Sequence, residues 1–327
     1  MDWNGKKVLV TGAGGFIGSH LTEQLVRLGA ATRALVHYNA LGTWGWLDHS
    51  PLRDQIEVVA GDIVDQDSVK QAMRGVDVVF HLAALIAIPY SYVAPGSYVR
   101  TNVIGTLNVL QAARDLETAR VIHTSTSEVY GSARYVPIDE AHPLQGQSPY
   151  SASKIGADKL AESFYLSFGT PVTTVRPFNT FGPRQSTRAV IPTIITQCLT
   201  GDVVKLGSLH PTRDLNYVSN TVNGFIKAAE SEQSLGMTIN VGSGREISIG
   251  DLAALIAGMI GRDVRIESES LRLRPEKSEV DRLLAANQLA ADVIGWKSEV
   301  ALEDGLALTI AWMREHLERY RAGVYAV

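Results

Sequence analysis

At 327 residues, with 45% hydrophobic and 20% charged residues, the chain has the make-up of one large globular domain or two closely joined ones. That composition excludes a disordered tail, a collagen-like repeat and a disulfide scaffold, because Cys198 is the single cysteine and has no partner in the chain. A net charge of −4 argues against a nucleic-acid partner, and no apolar run reaches the roughly 18 residues of a membrane span.

Lys7 to Val10 is a short apolar run that reads as a buried strand, and Gly18 to Leu28 reads as a helix ended by Gly29. Strands follow at Thr32 to Val36 and Ile56 to Ala60, then a helix from Asp67 to Met73 closed by Gly75. A fourth strand covers Val76 to His81, a long amphipathic helix Asn102 to Leu116, and a fifth strand Arg120 to Thr124. Ser151 to Phe168 is another long helix and Val172 to Val175 a sixth strand. Continuous apolar strands separated by helices predict a parallel sheet covered on both faces, the doubly wound, Rossmann-like α/β pattern.

After Pro177 the rhythm loosens. Val190 to Leu199 and Val222 to Ala229 read as helices, Met237 to Val241 and Val264 to Glu267 as strands. Ile249 to Ile260 is a helix with Ser248 as its N-cap, and two terminal helices flank Gly295-Trp296. The expected division is a sheet domain over residues 1–176 and a smaller α/β lobe over 177–327, interleaved with returns to the sheet. No apolar stretch precedes Val8 that would direct secretion, and a lone cysteine suits a reducing compartment, so a cytoplasmic location is expected.

The first strand runs directly into Gly12-Ala13-Gly14-Gly15-Phe16-Ile17-Gly18. Glycines 12, 15 and 18 follow a strand and open a helix, which is what a dinucleotide cradle needs: a tight turn, a close approach to the pyrophosphate, and close helix packing. The helix N-terminus then offers free N–H groups and a positive partial charge to the phosphates. The acid expected about 20 residues on is absent, since the second strand ends in Val36-His37-Tyr38-Asn39. No arginine replaces it, so NAD is preferred and NADP stays open. Asp62, after the third strand, suits the adenine amino group as well as it suits a turn or cap.

Tyr150 and Lys154 lie one turn apart at the start of a helix, on one face. An ammonium beside a phenol favours the phenolate, which can take a proton from a sugar hydroxyl while hydride leaves the same carbon. These residues, the glycine turn, His81-Leu82-Ala83-Ala84, Ser125-Thr126 and Arg176-Pro177-Phe178-Asn179-Thr180-Phe181-Gly182-Pro183-Arg184 resemble the extended short-chain dehydrogenase/reductase superfamily along essentially the whole chain. The resemblance implies a nucleoside-diphosphate sugar substrate and a homodimer through the helices 102–116 and 151–168. It implies a nicotinamide dinucleotide held by Gly12, Gly15, Phe16, Ile17, Gly18, His37, Asp62, Ile63, Leu82, Ala83, Ala84, Ser125, Tyr150, Lys154 and Pro177.

Dehydratases, decarboxylases and epimerases of this kind all begin by oxidising a sugar hydroxyl, so the exit of the fifth strand must separate them. Here it reads Ser125-Thr126-Ser127-Glu128. A plain 4-epimerase needs no further base, whereas a 4,6-dehydratase must remove the C5 proton, and Glu128 at the C-terminal end of a sheet strand is placed for that. Thr126 resembles the residue that binds the C4 oxygen. Dehydratases of the dTDP-glucose type carry Asp where Ser127 stands; the Thr-Ser-Glu triplet resembles GDP-mannose 4,6-dehydratases and also UDP-glucuronate decarboxylases.

Tyr38 to Asp48 with Trp44 and Trp46, Leu85 to Tyr90, and Leu273 to Val280 resemble bacterial N-acetylglucosamine 4,6-dehydratases of bacillosamine- or legionaminic-acid-type routes. The two tryptophans serve equally as ordinary packing under a long loop. Arg213 and Arg274 match diphosphate contacts and Asn179 a substrate contact; Ser127, Arg184, Lys205 and, more weakly, Arg188 join them as candidates. His123 reads as a core histidine, and no metal-ligand spacing is present, so no metal is expected. The expected function is a lyase converting UDP-GlcNAc, or a GDP-linked sugar, to a 4-keto-6-deoxy product with tightly held, recycled NAD. The alternatives are a UDP-glucuronate decarboxylase, a 4-epimerase, or a cofactor-binding redox sensor without turnover.

Overall fold

Seven parallel strands form the main sheet of the computed structural model, which describes residues 1–320. In chain order they are β1 (Lys7–Thr11), β2 (Ala31–His37), β3 (Glu57–Gly61), β4 (Val78–His81), β5 (Arg120–Thr124), β6 (Val172–Pro177) and a late seventh strand, Thr238–Val241. Their spatial order places that seventh strand at one edge, followed by β6, β5, β4, β1, β2 and β3. The chain therefore reverses direction between β1 and β4, and the crevice at their C-terminal ends is where such sheets bind ligands.

Both faces are covered, which explains the unbroken apolar runs. In β1, Val8 and Val10 enter one core with α1 (Phe16–Arg27), while Leu9 enters the other beneath α2 (Gln66–Met73). Next come two short helices, α3 (Ile88–Val93) and α4 (Pro95–Tyr98), then α5 (Gly105–Asp115) and α6 (Pro149–Phe168). The sequence predicts one helix over 102–116; instead Val99–Ile104 is a π-helical stretch that leads into α5. The wider turn points Asn102 inward, where its side chain bonds Leu85 N–H and C=O and Ser153 Oγ at 2.8–2.9 Å. Helix α6 starts two residues before the predicted Ser151, because Ser148 caps it in a reciprocal pair with Ser151 and Pro149 fits the first helical position.

Beyond β6 the chain adds β7 (Asn179–Phe181), α7 (Val190–Thr200), β8 (Val203–Leu206), β9 (Thr212–Tyr217) and α8 (Val218–Glu230). After the returning strand, now β10, come β11 (Glu246–Ser248), α9 (Ile249–Ile260), β12 (Arg265–Ser268), α10 (Gln288–Ile294) and α11 (Leu302–Glu315). A three-stranded sheet in the order β11-β9-β7 and a pair of β12 with β8 pack with α7, α9 and α11 around a second apolar core. Cys198 is buried there. Of these strands the sequence shows only β10 and β12. Residues 321–327 at the end of the expected second lobe lie outside the described residues. No helix among those described is long and apolar enough to cross a membrane.

Candidate active site

The glycine turn leaves β1 at Gly12, whose φ of +71° is a conformation that L side chains rarely adopt. A Cβ there would stand 2.8 Å from the Ala83 nitrogen, so the turn and the β4 loop lie against each other. At Gly18 a Cβ would be driven into the Gly12 carbonyl, which is how the helix comes to lie so close to the turn. Gly15 differs: a Cβ there would meet only the Gly12 oxygen, at 3.2 Å, and its outer side is open. Gly15 caps α1 without a side-chain hydrogen bond, and no acid occupies the first turn beside Phe16 and Ile17. Free N–H groups and the positive helix end thus face open space, an environment that suits a pyrophosphate. Gly18→Ala should push α1 off the turn, lower the melting temperature by an overpacking cost of about 1–3 kcal/mol and weaken NAD retention; thermal melts with and without NAD test this.

The remaining cofactor candidates divide. The Leu82 and Ala83 amides donate to Thr11 Oγ1, each at 3.1 Å, which fixes the loop through Ala84 beside the turn. His37 ends β2 with its Nε2 3.7 Å from Asp62 Oδ2, so these two share one exposed edge of the crevice. Asp62 also accepts the Val64 amide at 2.9 Å, so it does cap a turn. Ile63 is different: its side chain is buried against Gly105, and its carbonyl accepts Asn108 Nδ2 at 2.9 Å. Pro177 ends β6, half-buried. Trp46 donates its backbone N–H to the Gly14 carbonyl at 3.0 Å while its ring meets Trp312 edge-on, and Arg53 lies over Trp44. The tryptophans brace the back of the turn by packing.

Tyr150 lies in the first turn of α6, 7% exposed, with the Tyr98 ring edge-on at 6.2 Å. Burial raises its phenol pKa well above the ordinary value, while the Thr126 hydroxyl beside it acts in the opposite direction. The Lys154 Nζ donates to the Thr124 carbonyl at 2.6 Å, which fixes the ammonium at the end of β5. Burial pushes Lys154 down to about 8, and Asp158 one helical turn on resists that fall.

Asp158 has no place in the sequence argument, yet it anchors the site from below. Its buried carboxylate accepts Ser125 Oγ at 2.7 Å, Arg176 Nε and Nη2 at 3.1 and 3.0 Å, and pairs with His123 Nε2 at 3.1 Å. Ser125, a cofactor candidate, therefore spends its hydroxyl on this network, and His123 is a core residue as read from the sequence. The sequence signal for it is an acid four residues after Lys154, on the helix face that carries Tyr150 and Lys154. With Lys154 needed charged, the rate should fall as pH rises through about 8. Asp158→Asn removes the one charge that favours the ammonium, so the alkaline fall should move to lower pH; a kcat profile against pH tests this.

Thr126 caps a 3₁₀ turn over Ser127–Tyr130, its Oγ1 accepting the Glu128 amide at 3.2 Å. Glu128 and Ser127 are both buried in that turn. The Glu128 charge is felt at Tyr150 on one side and at Arg213 on the other, and its Oε2 lies 4.0 Å from Arg274 Nη1. Glu279 joins the two arginines, 3.3 Å from Arg213 and 3.7 Å from Arg274. Asn179 opens β7 with its side-chain oxygen buried and without a hydrogen-bond partner among the described residues. Three expected substrate residues have other partners in this structure, although the Arg188 charge is felt at Tyr98, whose ring meets Tyr150. Arg184 bonds Ser19 at 3.1 Å and Glu23 at 2.9 Å on α1, Lys205 pairs with Glu269 at 3.3 Å, and Arg188 is exposed beside Ser186. No group of three potential metal ligands exists among the described residues.

A family model described as GDP-mannose 4,6 dehydratase matches residues 9–309. The chain belongs to that family. It is 32% identical over 316 residues to a dTDP-glucose 4,6-dehydratase of an Actinoplanes species, covering 94% of this chain and 98% of that protein. It is also 32% identical to a UDP-glucose 4-epimerase of Mycolicibacterium smegmatis, with the same coverage. The dTDP-glucose 4,6-dehydratase DesIV of Streptomyces venezuelae, solved with NAD, superposes with a TM-score of 0.88 at 30% identity, covering 96% of this chain and 99% of that one. As a member of the GDP-mannose 4,6-dehydratase family the chain is an NAD-dependent enzyme of nucleotide-sugar conversion, and the open Gly15 face and uncapped α1 fit that cofactor.

Proposed function

We propose that the chain is a nucleotide-sugar 4,6-dehydratase acting on an N-acetylhexosamine, with UDP-GlcNAc as the first substrate to test. The observation that carries this reading is Glu128, a buried carboxylate between Tyr150 and the arginine pair, where a second base is useful only if a proton beyond the C4 hydroxyl is removed. Charge supports a neutral sugar. Arg213 and Arg274 already face Glu128 and Glu279, so the carboxylate of a uronate would compete with two resident carboxylates for the same guanidinium groups. The choice of N-acetylhexosamine rests on the resemblance of the segments 38–48, 85–90 and 273–280.

Tyr150, as the phenolate that the Lys154 ammonium and the Thr126 hydroxyl favour, takes the proton of the C4 hydroxyl. NAD held by the glycine turn would supply a hydride acceptor for C4 that is regenerated within each turnover, so no outside reductant is consumed. The 4-ketone acidifies the C5 proton, which Glu128 removes. The C6 hydroxyl leaves as water, the hydride ends on C6, and a proton returns to C5 from Glu128. The proton that leaves in that water balances the one Tyr150 took from C4. Arg213, Arg274 and Asn179 hold the diphosphate and sugar. Exposed apolar side chains at Val99 and Ile104, with Leu166 and Phe168 near the end of α6, offer a face for a homodimer through α5 and α6, which sedimentation tests.

The deciding experiment incubates the purified protein with UDP-GlcNAc and no added cofactor, then reads mass and proton NMR. A product lighter by one water with a C6 methyl signal supports the dehydratase. Unchanged mass with a C4 epimer would make it an epimerase, and turnover of UDP-glucuronate alone with loss of carbon dioxide would make it a decarboxylase.

A further inference from the structure

Arg274 Nη1 is shielded from solvent and makes no hydrogen bond among the described residues. Its nearest acidic neighbours are carboxylate oxygens of Glu279 at 3.7 Å and Glu128 at 4.0 Å. The same Glu279 Oε1 accepts Arg213 Nη2 at 3.3 Å and the Val280 amide at 3.2 Å. One carboxylate oxygen therefore sits between two guanidinium groups. Two arginines and two glutamates face one another, and the cluster is already neutral before any dianionic diphosphate arrives. Guanidinium forks match phosphate oxygens well, so a diphosphate and Glu279 compete for the same donors.

We propose that Glu279 is a resident counter-anion, which holds Arg213 and Arg274 in the empty site and is displaced by the diphosphate of the incoming nucleotide sugar. The inference rests on the reading that these two arginines grip the diphosphate. The main chain at this point is pinned. Ser278 Oγ donates to the Gln147 carbonyl at 2.6 Å and meets Tyr92 Oη at 2.6 Å, while Ser132 Oγ and Gln147 Nε2 donate to the Glu279 carbonyl at 3.3 and 3.2 Å. Displacement is thus a swing of the Glu279 side chain alone, and the loop stays in place. Either Glu279 or the diphosphate balances the two guanidinium charges.

The test is calorimetric titration of UDP into the NAD-loaded enzyme, with dTDP and GDP as parallel probes. Glu279→Gln should tighten binding of whichever nucleotide the wild type takes by about tenfold and lower the KM for its sugar, the effect of removing a competing charge. Glu276→Gln, an exposed position on the same loop with the same change in net charge, should leave the affinity as it was. Equal or weaker binding by Glu279→Gln overturns the proposal, since a residue that merely aligns the arginines would lose affinity when removed. Equal tightening by Glu276→Gln overturns it too, as an effect of net charge alone. If the wild type binds none of the three nucleotides, the nucleotide-sugar reading itself falls and takes the proposal with it.

Discussion

Tyr150→Phe should stop product formation, with a loss of about 10²–10⁴-fold or more in kcat. The ring lies buried against Tyr98, so phenylalanine keeps the packing and removes only the hydroxyl. The glycine turn is untouched, and NAD should remain bound. What disappears is the group that receives the C4 proton, and without it the first oxidation does not begin. The bound nicotinamide should therefore stay oxidised when nucleotide sugar is added, seen as no rise in the absorbance of the reduced form. A Tyr150→Phe enzyme that turns over at the wild-type rate would remove the phenol from the mechanism.

Glu128→Gln separates the second half of the reaction from the first. The substitution is close to isosteric in a buried turn, and Thr126 still caps the Glu128 amide through its own hydroxyl. Tyr150 can still take the C4 proton, so oxidation proceeds, but the C5 proton has no acceptor. The expected result is a fall of about 10²–10⁴-fold in release of the 4-keto-6-deoxy sugar while reduced nicotinamide builds up on the enzyme. The wild type run in deuterated water should carry solvent deuterium at C5. A Glu128→Gln enzyme of normal activity would end the role given to Glu128.

The parts of this site that lie along one stretch of chain were legible in the sequence. Strand, glycine turn and helix are contiguous over Lys7 to Arg27, and glycine spacing alone encodes how closely they pack. Tyr150 and Lys154 share a helix face, and the Thr126–Glu128 turn follows directly on β5. What stayed hidden depends on where distant segments meet. Arg184 ends the stretch Arg176 to Arg184, and its fork is taken by Ser19 and Glu23, more than 150 positions earlier in the chain. Asp158 looks like one polar residue on a helix until β5 and β6 bring His123, Ser125 and Arg176 to it. The second-lobe strands other than β12 escape for the same reason. β9 takes its partners from β7 and β11, so no local alternation marks it. Asn102 breaks a helical pattern that its sequence continues without interruption, because the wider turn is favoured by the Leu85 and Ser153 contacts.

The contact between Trp46 and Trp312 gives the enzyme an optical handle. One indole belongs to the loop that bonds Gly14 in the phosphate turn, and the other rides on α11 against the core of the second lobe. Their rings meet edge-on with centroids 5.4 Å apart, close enough for each to alter the emission of the other. Any release of dinucleotide that loosens the Gly14 loop would separate them, so intrinsic fluorescence can follow cofactor exchange in the unlabelled protein.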